Sequence, residues 1–518
     1  MIKFNSLTIV LIIFLTAFNP SSSNSQVPVL SDFDEKVYFG YEYGTSGIIN
    51  TLLELQNAKL PDFNLDLIPL IEFTLEQVWN DRINSNRTKY ASWPKMKDFY
   101  SIIYPGQKYG PAGIFLTFIN LYNTTEDIKW LQRAEEGYWL LASQALNSTT
   151  QPRWPYSYKF PNATSGTSTT DLKYGTSGIL YFNMLLYKIT KNSSYLDHGR
   201  LLISSLKEMS TKKIIDEQTY SVIPWYYPNG EETIMTGYNW GLTGIAPLLY
   251  RYANILNDES LKTWSLELTD FILAIQEKDG GWKNEYLGKD SITGFDDGVS
   301  GILYGLYEMQ QLSGLKKYSD SIINGISWLF SQFINNQTHK GFFYDNYRTN
   351  VYTSLYRGSI GILRILTSMK EYLNENQYSN VIDTYKWLLT NGSIVIEENK
   401  KELFLLLYNP MNYEYIDFSF AEGLAGLLSE LIRLKQNEKL ENDINIDIDK
   451  FLILTVDTLL YFQDDFGYWN RQILIDQNWD FYRFKITSQA TTPVNGAGFE
   501  ILMIGMAIIG IFIYRKRR

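Results

Sequence analysis

The sequence predicts an all-α fold, a double-ring (α/α)7 barrel or toroid, and three observations predict it. First, Gly-x-x-Gly followed by an aliphatic residue occurs seven times, with first glycines at 44, 110, 175, 241, 298, 358 and 423. The intervals of 66, 65, 66, 57, 60 and 65 residues are those of an internal repeat. Second, each phrase opens an apolar segment of helical period with few charges, and a more amphipathic helix follows it. Third, the repeat runs from about Tyr38 to Trp469 without a linker, so the 518 residues read as one large domain. The less polar helices form an inner ring and the amphipathic ones an outer wall. The seventh pair must close on the first, since an open array would leave an apolar face at each end.

In chain order, residues 1–24 read as a secretory signal: Lys3, an apolar run from Leu7 to Phe18, then Pro20-Ser21-Ser22-Ser23. The toroid is expected over 31–480. Its inner segments are exemplified by Ile179–Tyr187 and Ile302–Met309. The outer helices are expected at Leu65–Arg82, Asp127–Leu146, Tyr195–Met209, Asp258–Gln276, Lys317–Ile334, Gln377–Thr390 and Asp443–Phe462, with Asp127 and Asp258 as helix starts. An aromatic loop follows each outer helix, as at Trp93-Pro94, Arg153-Trp154-Pro155-Tyr156, Pro224-Trp225-Tyr226-Tyr227, Gly280-Gly281-Trp282, Gly341-Phe342-Phe343-Tyr344 and Gly467-Tyr468-Trp469. Packing over the helix ends is the expected role of these loops. Residues 481–495 read as a tether and 496–514 as a transmembrane or sorting-tail helix. The basic end at 515–518 belongs on the cytoplasmic side, which places the large domain outside as an exported cell-surface protein. The tail resembles the C-terminal sorting tails of prokaryotic surface proteins over about twenty residues. Seven Asn-x-Ser/Thr sequons, at Asn86, Asn123, Asn147, Asn162, Asn192, Asn336 and Asn391, are compatible with export.

The composition excludes several chemistries. There are no cysteines, hence no disulfide, thiolate metal site or cysteine nucleophile. The two histidines, His198 and His339, lie in different repeats, which argues against histidine zinc sites and Ser-His-Asp triads. The formal charge is −10, and about −14 without the terminal segments, which does not suit nucleic acid. No cofactor is expected.

The paired glycines are expected to permit unusual entering dihedrals and close approach of helix starts. Seven converging helix N-termini make a positive rim that suits a polar ligand. The residues before each first glycine should face the mouth of the central cavity: Glu42-Tyr43, Lys108-Tyr109, Lys173-Tyr174, Asn239-Trp240, Asp296-Asp297, Tyr356-Arg357 and Ala421-Glu422. An active site, if present, belongs in this ring.

With these residues the chain resembles the lanthionine synthetase C-like family over roughly 38–470. The resemblance implies a seven-fold double α-barrel with Gly-x-x-Gly at the starts of the inner helices. It also implies zinc held by two cysteines and one histidine, activating a thiol for addition to a dehydrated amino acid, or glutathione in eukaryotic relatives. The matching positions depart from that pattern. Asp296 stands where a cysteine is expected, Tyr356 and Arg357 where cysteine and histidine are, and Trp240 where a functional histidine is. Arginine is no zinc ligand at neutral pH. The fold is therefore expected to carry over without the zinc-dependent cyclase chemistry.

Two functions compete. One is a surface binding module of this family that has lost zinc and takes a polar small molecule, oligosaccharide or peptide. The other is a carbohydrate-active enzyme of the six-hairpin glycosidase kind. In it Asp296, Asp297, Glu422 and Glu42 supply acid and base, Tyr43, Tyr109, Tyr174 and Trp240 supply stacking platforms, and Lys108, Lys173 and Arg357 hold an anionic sugar. Against catalysis, Asp296 and Asp297 are expected as helix caps or as partners of Arg357.

Overall fold

The computed structural model describes residues 37–474 apart from 62, 83, 86–87, 90–92, 94–96, 98–101, 148, 160–165, 228–232, 285–289, 337, 399–400, 411–414, 466 and 470–471. The segments read as leader, tether, tail helix and basic end lie outside the described residues, as do Pro94, Asn86 and Asn162. Among the described residues no helix is long and apolar enough to cross a membrane.

Seven helical pairs follow one another: α1 (Thr45–Ala58) and α2 (Ile68–Asn80), α3 (Pro111–Thr125) and α4 (Ile128–Ser143), α5 (Thr176–Thr190) and α6 (Ser193–Met209), α7 (Leu242–Leu256) and α8 (Glu259–Ala274), α9 (Val299–Ser313) and α10 (Ser319–Ser331), α11 (Ser359–Ser368) and α12 (Glu375–Thr390), and α13 (Leu424–Lys435) with the short α14 (Glu438–Ile444) and α15 (Ile448–Tyr461). The first member of each pair packs on its counterparts in the adjacent pairs, and α13 packs on α1. These seven form the inner ring, and the second members lie outside them. The seventh outer helix was expected to start at Asp443 but is two elements. Asn445 takes a left-handed conformation (φ 51°) that ends α14, and Asp447 then caps α15 by accepting from Lys450 N–H. Asp127 and Asp258 cap α4 and α8 in the same way.

Glycine at the paired positions answers a steric demand. All seven first glycines have ordinary extended φ, between −108° and −152°, so the expectation of unusual dihedrals is corrected. A Cβ at the second glycine would meet the carbonyl six residues earlier, at 1.8 Å from Tyr41 O for Gly47 and 1.9 Å from Phe295 O for Gly301. It would also crowd the preceding repeat: Gly113 would touch Tyr41 Cβ, and Gly47 would touch Phe420 Cβ across the closure.

The aromatic loops seal the outer helices. Trp93, Trp154, Trp282 and Trp469 are buried, and their indole N–H groups donate to Val78 O, Leu141 O, Ile272 O and Leu459 O. Each acceptor lies two residues before the end of α2, α4, α8 or α15, so each tryptophan supplies a donor to a carbonyl of the last turn; Leu141 O also accepts from Gln144 N–H at the end of α4. The longest hairpins among the described residues extend the loops beyond expectation, β1 (Thr211–Ile215) with β2 (Gln218–Val222), and β3 (Ser393–Glu398) with β4 (Lys401–Leu406). In the first, Asp216 and Glu217 both have positive φ, as a two-residue hairpin turn of the I′ kind requires.

Candidate functional site

The turns entering the inner helices are joined to one another around the axis. Glu42 N–H donates to Lys108 O, Lys108 N–H to Lys173 O, Lys173 N–H to Asn239 O, and Asn239 N–H to Asp296 O. Asp296 N–H donates to Tyr356 O, Tyr356 N–H to Ala421 O, and Ala421 N–H returns to Glu42 O, at distances of 2.9–3.2 Å throughout. Seven residues, each two before its first glycine, thus form a closed backbone ring. The period of the repeat places one donor and one acceptor per turn at this level.

The side chains of this ring supply a buried charge cluster. Lys173 Nζ lies 2.9 Å from Glu42 Oε2 and in a short contact with Asp296 Oδ2. Asp296 also accepts from Asn239 Nδ2 and Trp240 Nε1, both at 2.9 Å. Burial works against ionisation of Asp296, but the Lys173 and Lys108 cations outweigh it and hold its pKa below the usual carboxylate range. Glu42 competes for the same ammonium without a comparable set of donors, and burial pushes it up to about 7. Glu42 is therefore the proton-accepting member of the pair.

Lys108 is nearly buried among aromatic rings, 4.7 Å from the centroid of Tyr43, 5.1 Å from Tyr109, 5.2 Å from Tyr174 and 5.6 Å from Trp240. Burial and then the Lys173 charge lower its pKa to about 7. Tyr43 and Tyr109 stack on each other at 5.6 Å, and Tyr43 and Tyr174 are buried. These faces serve the lysine and one another.

A second group lies on the residues directly before the glycines. Glu422, 2% exposed, accepts from Tyr43 OH at 3.1 Å and pairs with Arg357 Nε at 3.5 Å, while the Arg357 side chain is 41% exposed. Glu422 Oε2 and Asp297 Oδ1 are buried without a hydrogen bond to any described residue. Burial, then the Asp296 charge, raises Asp297 to about 6.

The expected Asp296–Arg357 pair is replaced by Lys173 with Asp296 and Arg357 with Glu422. The expected capping role of Asp296 and Asp297 also fails: Gly298 is the N-cap of α9, and that helix has no side-chain cap. The sequence did not single out Tyr344 or Asn284. Asn284 Nδ2 donates to Asp297 O at 3.2 Å, and the charges of Asp297 and Arg357 act on Tyr344. Tyr344 stood in an aromatic loop read as packing; Asn284 carried no signal.

The zinc implied by the resemblance does not fit these residues. Asp296 is held by an ammonium and two N–H donors, and Arg357 brings a second cation to the same end. Thiolate is absent from the chain. His198 lies at the outer wall against Tyr138, and His339 is half-buried beside Thr338. A dication placed here would face fixed positive charge with no soft ligand.

Comparisons with known proteins bear on the family. No curated protein matches this chain. Among solved structures, nisin cyclase matches at 16% identity over 83% of this chain and 95% of its own, with a TM-score of 0.49. A sugar epimerase from a ruminal bacterium matches at 14% identity over 61% and 85%, with a TM-score of 0.39. The GH76A alpha-1,6-mannanase from Salegentibacter sp. HEL1_6 matches at 15% identity over 72% and 100%, with a TM-score of 0.38. The family model described as lanthionine synthetase C-like protein matches residues 159–446, more than half of the chain. With that match, the seven glycine pairs and the closed double ring of helices, the chain belongs to the lanthionine synthetase C-like family.

Proposed function

We propose that this protein is a lanthionine synthetase C-like protein of the cell surface that binds a polar ligand at the ring end, outside zinc-dependent cyclase chemistry. One observation carries the reading: Asp297 Oδ1 and Glu422 Oε2 make no hydrogen bond to any described residue, and the half-exposed Arg357 guanidinium pairs with Glu422. Unpaired buried carboxylate oxygens are costly, and a ligand bearing hydroxyl or N–H donors removes that cost. Arg357 supplies donors to an acceptor on the same ligand. Oligosaccharides and peptides both have this mixture of groups. Export rests on the signal-like residues 1–24, and anchoring on the apolar stretch 496–514 with its basic end.

The carbohydrate-active reading is kept for one observation. Asp297, raised to about 6, keeps its proton to a higher pH than an ordinary carboxyl, in the direction a general acid needs, with Glu422 as the second carboxylate. Calorimetric titration of the purified protein with oligosaccharides, unstructured peptides and zinc separates the possibilities. Binding of a sugar or peptide without turnover, weakened in Asp297→Asn and Glu422→Gln and indifferent to zinc, is the expected result. Sugar turnover lost in both variants would establish the second reading. Zinc binding that survives dialysis would refute both.

A further inference from the structure

The barrel interior adjoins the ring-end cluster through the ring residues Asn239 and Tyr356, which also line it. A cavity of about 720 Å³ is roofed by the residues three before each first glycine, including Tyr41, Tyr238 and Phe295, and walled by the inner helices. Exposed Lys188 near the end of α5 and exposed Ser368 at the end of α11 are among its lining residues, so it reaches the C-terminal ends of those helices. Asp297 and Glu422 do not line it.

Three arginines line this cavity, and each is gripped along one edge. Arg251 Nη2 pairs closely with Glu308, which also accepts from Tyr238 OH at 3.1 Å. Arg364 Nε lies 3.0 Å from Glu430 Oε2, and its Nη2 donates to Ser429 Oγ at 3.1 Å. Arg433 donates through Nε to Glu430 at 3.0 Å and through Nη2 to Thr367 and Tyr385 at 2.8 and 3.0 Å. In all three, Nη1 makes no hydrogen bond to a described residue. Compensation of helix ends accounts for Lys188 and Arg433, which stand in last turns, but not for Arg251 or Arg364, which stand in helix interiors. Glu308 pairs with Arg251, Glu430 is shared by Arg364 and Arg433, and the Arg364 charge acts on Glu54, whose pKa burial raises. Carboxylates behind the guanidinium groups fix their orientation, as they do in preformed anion sites.

We propose that the barrel interior is a second binding site, for a small organic or inorganic polyanion whose carboxylate or phosphate oxygens take the free Nη1 donors of Arg251, Arg364 and Arg433. The cavity volume falls in the range of small-molecule sites, and Tyr181, Tyr238 and Tyr304 provide aromatic walls. The site is independent of the ring-end reading and shares neither Asp297 nor Glu422 with it.

Calorimetric titration of the full chain with citrate and with pyrophosphate at low salt is the test, the two probes separating carboxylate from phosphate recognition. One saturable site for at least one probe is expected. Lys188→Glu and Ser368→Glu, both at exposed positions that leave the arginine network intact, are expected to weaken it about tenfold each. Glu422→Gln is expected to leave it unchanged. Absence of binding by both probes overturns the proposal. So does binding that ignores both rim variants, or that is lost in Glu422→Gln.

Discussion

Lys173 is the residue on which the ring cluster depends. Its ammonium is fully buried between Glu42 and Asp296. Removing one partner of a buried ion pair leaves an uncompensated charge, which costs about 3–5 kcal/mol. Lys173→Met should lower the stability measured by urea unfolding by that amount, and adding Glu42→Gln should recover part of it. A loss under about 1 kcal/mol would mean that the pair is solvated. Glu42 carries a pH prediction. Its carboxyl is raised to about 7 in the folded chain, so the folded state binds the proton more tightly than the unfolded one. Its contribution is fully present below the unfolded pKa of roughly 4.3 and is lost as pH rises through about 7. Urea midpoints of wild type should therefore fall between pH 5 and pH 8 by more than those of Glu42→Gln. Equal slopes in the two proteins would remove Glu42 as the titrating group.

Among the elements, the glycine turns give the sharpest contrast. A Cβ at Gly301 would lie 1.9 Å from Phe295 O and 3.1 Å from Tyr238 Cβ, so backbone must move in its own repeat and side chain in the preceding one. Gly314, the left-handed cap of α9 at φ 71°, has nothing within 4 Å of such a Cβ. Gly314→Ala should cost only about 1 kcal/mol, the penalty of the left-handed conformation. Gly301→Ala should cost about 3 kcal/mol or more, or prevent folding. Thermal midpoints of the two variants decide this, and comparable losses would contradict the steric account. The tryptophan seals obey similar logic. Trp282→Phe keeps most of the buried ring but leaves Ile272 O unpaired, so a loss of about 1–3 kcal/mol in urea unfolding is expected.

Closure is a property of the whole molecule. The first and seventh repeats meet through Ala421 N–H to Glu42 O, Tyr43 OH to Glu422, and Tyr468 OH to Asp81 in the outer wall. Each repeat therefore has two neighbours, and no end repeat exists to fray. Truncation after residue 420 should leave α1 and α11 with uncovered apolar faces and abolish the cooperative thermal transition seen by calorimetry. The sequence by itself determined the repeat number, the toroid, the inner and outer roles of the helices and the set of residues before the glycines. These follow from period and polarity, which are local quantities. It also identified Glu42, Lys173 and Asp296 as members of one ring. Only the tertiary structure decided that Lys173, 123 residues from Asp296, takes that carboxylate while Arg357 takes Glu422. It alone disclosed the backbone ring and the arginines of the interior. The pairings of the ring end join positions from 57 to 379 residues apart, and the geometry that selects among several lysines and carboxylates exists only after the ring has closed.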